Sequence, residues 1–369
     1  MSLPDFSIAE MASLSVAGSG LCRDAIIPPG KRGEGFDAAY DRTTLWYDAV
    51  RRDGALLLVC PKLLNLAPLL SEDALRLDGT PARICRVRRW RRHDIIEIAA
   101  STPAATVSTS LGAWRGESGT SPDQSALFAG LNASLHISRN NRPEWVADWA
   151  RFHIGEHGLQ AMLVMDNASD AYPPEAILDA LAPTGLKRAV VLKVPQTYGP
   201  VRTKNGGGGA KFLQPAMLNL ARLRFLRRAR AVLNADIDEL VWSRGGSVFD
   251  AAVKSRLGFV TFSGRWRMPP AGLAPPFRHA DHTHLRRNGT ACPTKYCLRP
   301  DGWRAGIGWD VHKPEIRLPI GLLKRGDFGY WHCRGITTNW KSYNRLSPGG
   351  AGPEDPFTAA KLAERLPRG

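Results

Sequence analysis

Two aspartates at the end of an apolar stretch are the residues best placed to do chemistry in this chain. Asp236 and Asp238 lie in VLNADIDELVW, between the apolar residues 231–235 and 240–242. In an extended backbone, residues two apart point the same way, so both carboxylates can face one ligand. Carboxylates held between buried segments need a compensating cation, and hard ions such as Mn²⁺ or Mg²⁺ prefer oxygen ligands.

The chemistry of such a pair is that of a metal bound to a phosphorylated ligand. One carboxylate can bind the ion directly, and the other can bind through water or a ribose hydroxyl. The ion can bridge both phosphates of a nucleotide diphosphate and neutralise the charge that builds on a departing phosphate. Glu239 can cap or orient the pair. Alone, however, an Asp-x-Asp pattern is typical of a solvated turn, so the flanking apolar stretches carry this interpretation.

A second polar cluster follows another apolar stretch in MLVMDNASDAYPP. Asp166, Asn167 and Asp170 are short acceptors that can hold a base edge or a ribose. The alternative is a helix N-cap and Asx-turn, a role that Ser169 and Asp170 would also serve well. The local sequence leaves both interpretations open.

The elements that must position these clusters alternate between strand and helix. Strands are predicted at 131–138, 160–165, 188–194 and 231–235, and a helix with Pro143 near its start and Gly158 near its end follows the first. This alternation predicts an α/β fold with a mainly parallel sheet covered by helices on both faces. Ligands of such sheets bind beyond the carboxyl ends of the strands. We therefore expect the polar clusters to share one edge, namely Arg139–Asn140, Asp166–Asp170 and Asp236–Asp238.

The remaining segments differ from this one in composition and in their apolar pattern. Residues 1–35 are rich in Gly, Pro and small residues and are predicted to form a flexible arm. Residues 36–125 read as short strands with turns, which predicts a small β-rich module. The main domain is predicted over residues 130–345, and residues 346–369 are predicted to be a flexible tail.

The bulk composition is that of a globular protein with an unusual excess of positive charge. The 369 residues carry a formal net charge of +16. Arginine-rich patches occur at 83–94 and 221–230, and they indicate either solvated faces or a peripheral contact with an anionic membrane surface. We expect no membrane-spanning helix, because no run of eighteen uncharged apolar residues occurs. The scattered cysteines and the start of the chain favour a cytoplasmic location.

Several of these pieces, taken in order, resemble the glycosyltransferase family 92 group and the related family 2-like glycosyltransferases. The resemblance covers roughly residues 130–345, with order and rough spacing preserved. Each piece alone is of modest specificity. The segments that carry it are RNNRPEWVADWARFHIGEHGLQAMLVMDNASD (139–170), LNADIDELV (233–241), TKYCLRPD (294–301), DVHKP (310–314) and YWHCRGITTNWKSYNR (330–345).

The resemblance implies a GT-A fold, which is Rossmann-like, together with a bound Mn²⁺ ion and transfer of a sugar without a covalent intermediate. It implies that Asp236 and Asp238 hold the metal and the diphosphate, with His312 or His332 completing the metal shell. Residues that would bind the nucleotide sugar are Arg139, Asn140, Asp166, Asn167, Asp170 and Asp236.

Catalysis with inversion requires a carboxylate that takes the proton of the acceptor hydroxyl from the face opposite the departing diphosphate. Asp310, between Trp309 and His312, is the predicted base. Asp301 and Asp281 are alternatives, and the sequence leaves a retaining arrangement open.

The function expected from this reading is a hexosyltransferase. The donor would be a nucleotide diphosphate sugar, a UDP-sugar by resemblance, and the acceptor a saccharide or glycolipid in bacterial surface polysaccharide synthesis. One alternative is a nucleic-acid-binding protein that uses the basic charge, but no recognition helix or aromatic RNA-binding signature supports it, so no nucleic acid partner is expected. Another alternative is a sugar-nucleotide-binding protein of the same fold without catalytic activity.

A transition-metal site is a further alternative interpretation of the histidine-rich segment 277–284. Cysteine and histidine are the usual ligands of structural zinc. The four-residue gap between the two nearby cysteines is wider than in a usual zinc knuckle, so we expect a mobile loop instead. The residues concerned are His279, Asp281, His282, His284, Cys292 and Cys297.

Overall fold

The structure is a computed structural model that describes residues 5–200, 210–316, 324–338 and 350–367. The chain divides into two compact units, and each is assembled from separated parts of the sequence. The first unit comprises residues 1–9, 127–192 and 226–369, and the second comprises residues 10–126 and 193–225. Consecutive segments of the chain therefore do not coincide with the compact units.

Within the described residues the chain forms strands and six α-helices. The strands are β1 Asp5–Ala9, β2 Leu14–Ser15, β3 Thr44–Trp46, β4 Asp48–Arg52, β5 Ala55–Pro61, β6 Leu75–Leu77, β7 Thr80–Pro81, β8 Ile84–Arg89, β9 His93–Ala99, β10 Thr106–Leu111, β11 Trp114–Gly119, β12 Asn132–Ser138, β13 Ala161–Asp166, β14 Arg188–Lys193, β15 Ala231–Asn234, β16 Glu239–Ser243, β17 Phe259–Met268, β18 His284–Arg286, β19 Ala291–Leu298, β20 Phe328–Cys333 and β21 Ala351–Glu354. The helices are α1 Phe36–Ala39, α2 Pro143–His157, α3 Glu175–Leu181, α4 Leu213–Leu220, α5 Val248–Lys254 and α6 Pro356–Arg365.

One large sheet organises the first unit. Its strand order is β1-β14-β13-β12-β15-β19-β17-β18-β21, with β20 beside β17 and β16 beside β20. The strands predicted at 131–138, 160–165, 188–194 and 231–235 are confirmed as β12, β13, β14 and β15. They are buried along most of their length, as continuous apolar runs in a covered sheet should be.

The direction of the strands changes along this sheet. Strand β12 runs parallel to both β13 and β15, and β1 runs parallel to β14. Beyond β15, β19 is antiparallel to β15 and to β17, and β16 is antiparallel to β20. The sheet is thus mixed: after β15 its pairs are antiparallel except for β17 with β20, so the prediction of a mainly parallel sheet holds only for β1 and β12–β15. Few helices connect these later strands, and neighbours without a crossover helix commonly run antiparallel.

Helix α2 is the main helix packed in the first unit. Its Trp145, Trp149 and Phe152 are buried, as their spacing predicts. Pro143 is its first residue, and Gly158 ends it with a φ of 69°, a left-handed conformation that favours glycine. Helix α2 packs against α3 and α6, so the apolar stripe is covered by other helices as well as by the sheet.

The second unit is rich in strands. It contains two four-stranded sheets, ordered β4-β5-β9-β8 and β11-β10-β6-β7, and the pair β2 and β3. The strands predicted within 36–125 are confirmed. Helix α4 also belongs to this unit and contacts β5 and β9. Helix α4 continues as a wider, π-helical turn over residues 221–226.

Both ends of the chain contain more regular structure than their composition predicts. In the predicted arm, β1 pairs with β14, and the Arg23 side chain is buried against main-chain oxygens. In the predicted tail, β21 pairs with β18, and helix α6 buries Leu362. The Pro356 start and an amphipathic pattern explain α6, and its burial overrides the Gly and Pro content before it. None of the described helices is long and apolar enough to cross a membrane.

Candidate functional site at the carboxyl edge of the parallel strands

The parallel strands bring the three predicted polar clusters to one edge of the sheet. In the β12 and β13 pair, Ser138 lies opposite Asp166 at the carboxyl ends. In the β12 and β15 pair, Leu135 lies opposite Asn234, the last residue of β15. The segments beginning at Arg139, Asp166 and Asp236 all leave the sheet here. The order of the strands also reverses at β12, since β13 lies on one side of it and β15 on the other.

Asn140 ties the loop after β12 to the loop after β13. Its φ of 55° is left-handed, a conformation that Asn tolerates better than most residues. Its main-chain N–H donates to Ser169 Oγ at 2.8 Å, and its side-chain Nδ2 donates to Asp170 Oδ1 at 2.8 Å. Its Oδ1 accepts the main-chain N–H groups of Asp170 and Ala171. The Asn140 side chain is thus bonded to the loop after β13, and these hydrogen bonds hold Asp170 at the exposed surface.

Asp166 is the buried member of this pair of loops. Its side chain accepts a hydrogen bond from Ser169 Oγ at 2.5 Å, and the main-chain N–H of Asn167 donates to Ser138 O at 2.7 Å. Burial raises the pKa of Asp166, while Ser169 and the positive charge of Arg139 act in the opposite direction. The segment forms a hydrogen-bonded turn, as one interpretation predicts, but the residue that precedes α3 is Pro174 and no side chain caps that helix. Ligand binding by Asp166, Asn167 and Asp170 stays a prediction.

The main chain of residues 237–239 is held by hydrogen bonds from three other segments. His279 Nε2 donates to Ile237 O at 2.8 Å, and the main-chain N–H of Cys333 donates to Asp238 O at 2.7 Å. Trp149 Nε1 donates to Glu239 O at 2.8 Å. Because helix α2, strand β20 and the segment at 279 each fix one carbonyl, the carboxylates project from a rigid support.

A buried lysine stands between two of the carboxylates. Lys295 Nζ, on β19, lies 2.9 Å from Asp236 Oδ2 and 3.0 Å from Glu239 Oε2, and the lysine side chain is 1% exposed. Burial alone would lower the pKa of Lys295, but the charges of Asp236 and Glu239 outweigh it and raise that pKa. Lys295 is therefore a permanent cation at the site. Glu239 also accepts the main-chain N–H of Asp236 at 2.8 Å, which confirms its predicted capping role.

A histidine pairs with the third carboxylate. His332 Nε2 lies 2.9 Å from Asp238 Oδ2, and the His332 ring stacks on Trp266 with ring centroids 3.7 Å apart. Burial would lower the pKa of His332, but Asp238 outweighs it and raises that pKa to about 10. Within the described residues, the group of potential metal ligands whose atoms lie within 4.8 Å of one another is Asp238, Glu239 and His332.

We refer to Asp236, Asp238, Glu239, Lys295 and His332 as the acidic cluster. Its three carboxylates outnumber its two cationic side chains. The side chain of Asp236 is 35% exposed and that of Asp238 is 13% exposed, whereas Glu239 is buried. The two aspartates thus present carboxylate oxygens toward solvent, while burial raises the pKa of Glu239. Such an arrangement attracts a cation or a ligand that carries one.

The sequence pattern does not assign Lys295 to the site, although its segment TKYCLRPD carries part of the family resemblance. The signal was available, because Lys295 is the one basic residue in the strand ACPTKYCL and is followed by Tyr296 and Cys297. A lysine in an apolar strand needs a buried carboxylate partner. What the sequence did not contain was the identity of that partner, 56 and 59 residues earlier in the chain.

The predicted base and its alternatives lie on separate surface loops. Asp310 is half-buried, and its Oδ1 accepts the main-chain N–H of Val311 at 2.7 Å. Its main-chain oxygen accepts Tyr296 Oη and Asn234 Nδ2, so this loop is fastened beside the end of β15. Asp301 instead pairs with two arginines, and Asp281 accepts the main-chain N–H of Arg278.

His312 lies on the same loop as Asp310. Its main-chain oxygen accepts a hydrogen bond from Thr294 Oγ1 at 2.8 Å, next to Lys295. Its ring does not belong to the described group of ligand atoms around Asp238. Of the two histidines proposed for a metal shell, the structure brings His332 to Asp238.

The histidine-rich segment forms hydrogen bonds to main-chain oxygens. His279 donates to Ile237 O, and the two ring nitrogens of His282 lie 3.0 Å from Arg278 O and 2.7 Å from Arg334 O. His284 contacts Thr283 Oγ1. These rings fix the loop against its neighbours, which is a structural use of the residues that the zinc alternative assigned to a metal.

Comparisons with known proteins do not name a family for this chain. No protein-family model matches it, and no curated protein matches it. Its function must therefore be argued from the geometry described above.

Proposed function

We propose that this protein is a metal-dependent glycosyltransferase of the GT-A type that transfers a hexose from a nucleotide diphosphate sugar, a UDP-sugar, to a saccharide or lipid-linked acceptor. The observation that carries the proposal is the acidic cluster at the carboxyl edge, where two partly exposed aspartates lie beside Glu239, Lys295 and His332. A divalent ion that accompanies the pyrophosphate of a donor would bind to these carboxylate oxygens.

The topology supports a nucleotide site at this edge. The order β14-β13-β12-β15 is that of strands 3-2-1-4 in dinucleotide-binding folds, whose ligands bind where the order reverses. The reversal lies between β12 and β15, which end at Ser138 and Asn234. The loops that follow these two strands contain Asn140 and Asp236. We therefore propose that this part of the chain is a Rossmann-like GT-A domain.

The potential ligand atoms of the acidic cluster suit the proposed ion. Carboxylate oxygens suit both Mn²⁺ and Mg²⁺, and an imidazole nitrogen beside them favours Mn²⁺, since imidazole is a ligand of transition metals. Asp236, Asp238 and His332, the last after release of its ring proton, would hold the ion, which would neutralise charge on the departing diphosphate. Glu239 belongs to the same group of potential ligands, but it is buried, and its Oε2 accepts both Lys295 and the N–H of Asp236, so we assign it the orientation of the pair. His312 stays a prediction as a further ligand.

The residues of the chain itself would then divide the remaining work. Lys295 fixes the Asp236 carboxylate in one orientation by a bond of 2.9 Å. The loops braced by Asn140 present Asp166, Asn167 and Asp170 to the nucleoside, with Arg139 close enough to Asp166 to affect its pKa. Polar groups held on rigid supports before the ligand arrives need little reorganisation in the reaction.

Asp310 is the proposed base. Its carboxylate would take the proton from the acceptor hydroxyl as that oxygen attacks the sugar carbon and the diphosphate leaves. The loop that carries it is fastened to Asn234 and Tyr296, so its position relative to the end of β15 is fixed. Oδ1 accepts the N–H of Val311, which orients the carboxylate without neutralising it.

A cytoplasmic setting with peripheral contact to an anionic membrane surface belongs to the same proposal. All six cysteines are free, which suits a reducing compartment. Strand β8 lies at an edge of its sheet, and most of its residues, including Arg86 and Arg89, are exposed. Exposed arginine attracts acidic lipid head groups, each charge contributing about 1 kcal/mol near such a surface.

The test combines binding and turnover. We expect UDP to raise the melting temperature of the protein only when Mn²⁺ is present, because ligands that bind the folded state stabilise it. Asp238→Asn should lower the transfer rate by roughly 10²-fold or more, by analogy with the loss of one charge-stabilising group. Transfer is measured as UDP released from a panel of UDP-hexoses with saccharide acceptors.

The matched control is Asp179→Asn, which removes an exposed carboxylate from helix α3 of the same unit. It should leave binding and transfer unchanged. Unaltered UDP binding after chelation of the metal, together with full transfer by the Asp238 variant, contradicts the proposal. Metal-dependent UDP binding without release from any UDP-hexose would support the non-catalytic alternative instead.

A further inference from the structure

A groove in the first unit is lined by aromatic rings and arginines that the proposed transfer does not use. One part, of about 450 Å³, is lined by Trp242, Arg244, Arg265, Arg267, Trp331, Asp355 and Phe357. An adjoining part, of about 290 Å³, shares Trp242, Arg265, Arg267 and Trp331 with it. We call this the Trp242 groove. These volumes fall near the lower end of the range for small-molecule sites.

The groove lies on the other face of the strands that carry the acidic cluster. Across β16 and β20, Glu239 is paired with His332, and Trp242 with Gly329. Side chains alternate along a strand, so Trp242 and Trp331 lie on the face opposite Glu239 and His332. The Trp242 groove is therefore separate from the proposed donor site, although the same strands hold both.

Glycine makes room for the aromatic wall. A Cβ atom on Gly329 would lie 2.4 Å from the Trp242 ring, so the ring can lie across β20 only because that side chain is absent. The Trp242 ring meets Phe357 edge to face, with centroids 5.4 Å apart. The guanidinium of Arg244 lies over both rings, at 5.8 Å from Trp242 and 5.5 Å from Phe357.

The polar groups of the groove are almost all donors. Arg267 is 6% exposed and is held by Asp355 and by Thr358 Oγ1, which together fix its guanidinium in the wall. Trp331 is 1% exposed, and no group among the described residues accepts a hydrogen bond from its Nε1. A buried N–H without an acceptor is costly, so this donor favours a ligand that brings an acceptor.

The charge of the groove is positive. Arg244 and Arg265 are exposed, and neither forms an ion pair with a carboxylate among the described residues. Asp355, the carboxylate of the lining, already accepts Arg267 and Thr358. Burial lowers the pKa of Arg267, and the nearby charge of Arg265 adds to this, while Asp355 opposes it. An oxyanion between these arginines would relieve that repulsion.

We propose that the Trp242 groove binds an acidic saccharide, with Arg244 and Arg265 on its carboxylate and the rings of Trp242 and Phe357 against its sugar ring. Arginine matches a carboxylate with two parallel hydrogen bonds, and aromatic rings offer an apolar face to the C–H side of a sugar. The ligand class follows from the combination, because a plain anion needs no aromatic wall and a neutral sugar needs no excess of arginine.

The experiment uses a matched pair of probes on the full chain. Trigalacturonic acid and its methyl ester have the same rings, but only the acid carries carboxylates. Calorimetric titration should show the acid binding at least about tenfold more tightly, as expected when charge-assisted hydrogen bonds are lost. The affinity of the acid should fall with added salt. Equal binding of acid and ester would overturn the proposal.

Variants locate the binding. The double variant Arg244→Gln with Arg265→Gln should weaken binding of the acid by about tenfold or more, and both residues are exposed, so the fold should survive. Trp331→Phe keeps a ring and removes the donor, and we expect a severalfold loss. Arg256→Gln, an exposed arginine in the same unit, is the control and should bind like the parent. Unchanged affinity in the double variant contradicts the assignment.

Two further measurements distinguish an acidic-saccharide site from a plain anion site and from the proposed donor site. Inorganic phosphate should compete only weakly with trigalacturonic acid, and competition at equal concentration would reduce the groove to a plain anion site and overturn the saccharide assignment. The Asp238→Asn variant should bind the acid like the parent protein, because the groove lies on the other face of the strands. Failure of the glycosyltransferase proposal thus leaves this one standing, and the reverse is also true.

Discussion

Two charged networks, one in each unit, show how similar residues can serve different ends. In the second unit, Asp48 is fully buried and pairs with Arg224 at 2.8 Å. Its Oδ1 also accepts the N–H of Ala12 and the hydroxyl of Ser121. Arg224 donates in addition to Gln124 Oε1 and to a main-chain oxygen. In this network each charge has its counterpart, and solvent reaches neither.

The acidic cluster of the first unit is built differently. It also contains a buried cation, Lys295, but its three carboxylates exceed its positive groups, and Asp236 and Asp238 remain partly exposed. A closed network such as Asp48 and Arg224, in which each charge has a buried partner, is complete without a ligand and stabilises the fold. An open one leaves carboxylates partly exposed to solvent, which is typical of a binding site. The comparison therefore separates two clusters that composition alone would treat alike.

The largest expected effect is on the closed network. Asp48→Asn keeps the shape of the side chain but leaves the charge of Arg224 buried without its partner, so we expect a loss of about 3–5 kcal/mol in the free energy of unfolding. Asp236→Asn should cost about 1 kcal/mol, because that carboxylate is partly exposed and Lys295 keeps Glu239. Urea unfolding of both variants, followed by tryptophan fluorescence, measures the difference. Equal losses would remove the distinction between the networks.

A smaller effect is expected on the stability of the fold at acidic pH. His157 Nε2–H donates to Val241 O, and its Nδ1 accepts the N–H of Val248, so only the neutral ring satisfies both contacts. Burial lowers the pKa of His157 to about 4. Because this lies below the unfolded value of about 6.5, the contribution is complete above pH 6.5 and is lost as the pH falls toward 4.

We expect His157 to account for a loss of roughly 2 kcal/mol in the free energy of unfolding between pH 7.5 and pH 5. The measurement is urea unfolding at the two pH values for the parent protein and for His157→Gln. The variant should be less stable at pH 7.5 and should lose less on acidification. A variant as acid-sensitive as the parent would show that other groups control the response.

The smallest effect tests the brace between the donor loops. Asn140→Ala removes three side-chain hydrogen bonds and places alanine at a φ of 55°, which should cost about 1–2 kcal/mol. Under the proposed function, UDP binding should weaken severalfold, as the loop carrying Asp170 loosens. Asn140→Gly, which accepts the backbone angle but lacks the amide, separates the two causes. Wild-type UDP affinity in both variants would show that the brace does not position the donor site.

The sequence predicted the part of the fold that repeats a simple pattern. Apolar runs of six or seven residues separated by an amphipathic helix identify β12, α2 and β13, since a covered parallel strand and a helix differ in period. The convergence of Asn140, Asp166 and Asp236 on one edge followed from strand direction alone. The strands after β15 are harder to predict, because short strands such as β18 have little periodicity to distinguish them from loops.

The sequence by itself determined which residues are able to do chemistry, because carboxylates held between apolar segments need a compensating cation. Tertiary structure decided which groups they meet. Lys295 and His332 lie far along the chain, and their pairing with Asp236 and Asp238 depends on β19 and β20 entering a sheet whose order is not sequential. A charge is compensated through space over a few ångströms, and the order of residues along the chain does not encode that distance.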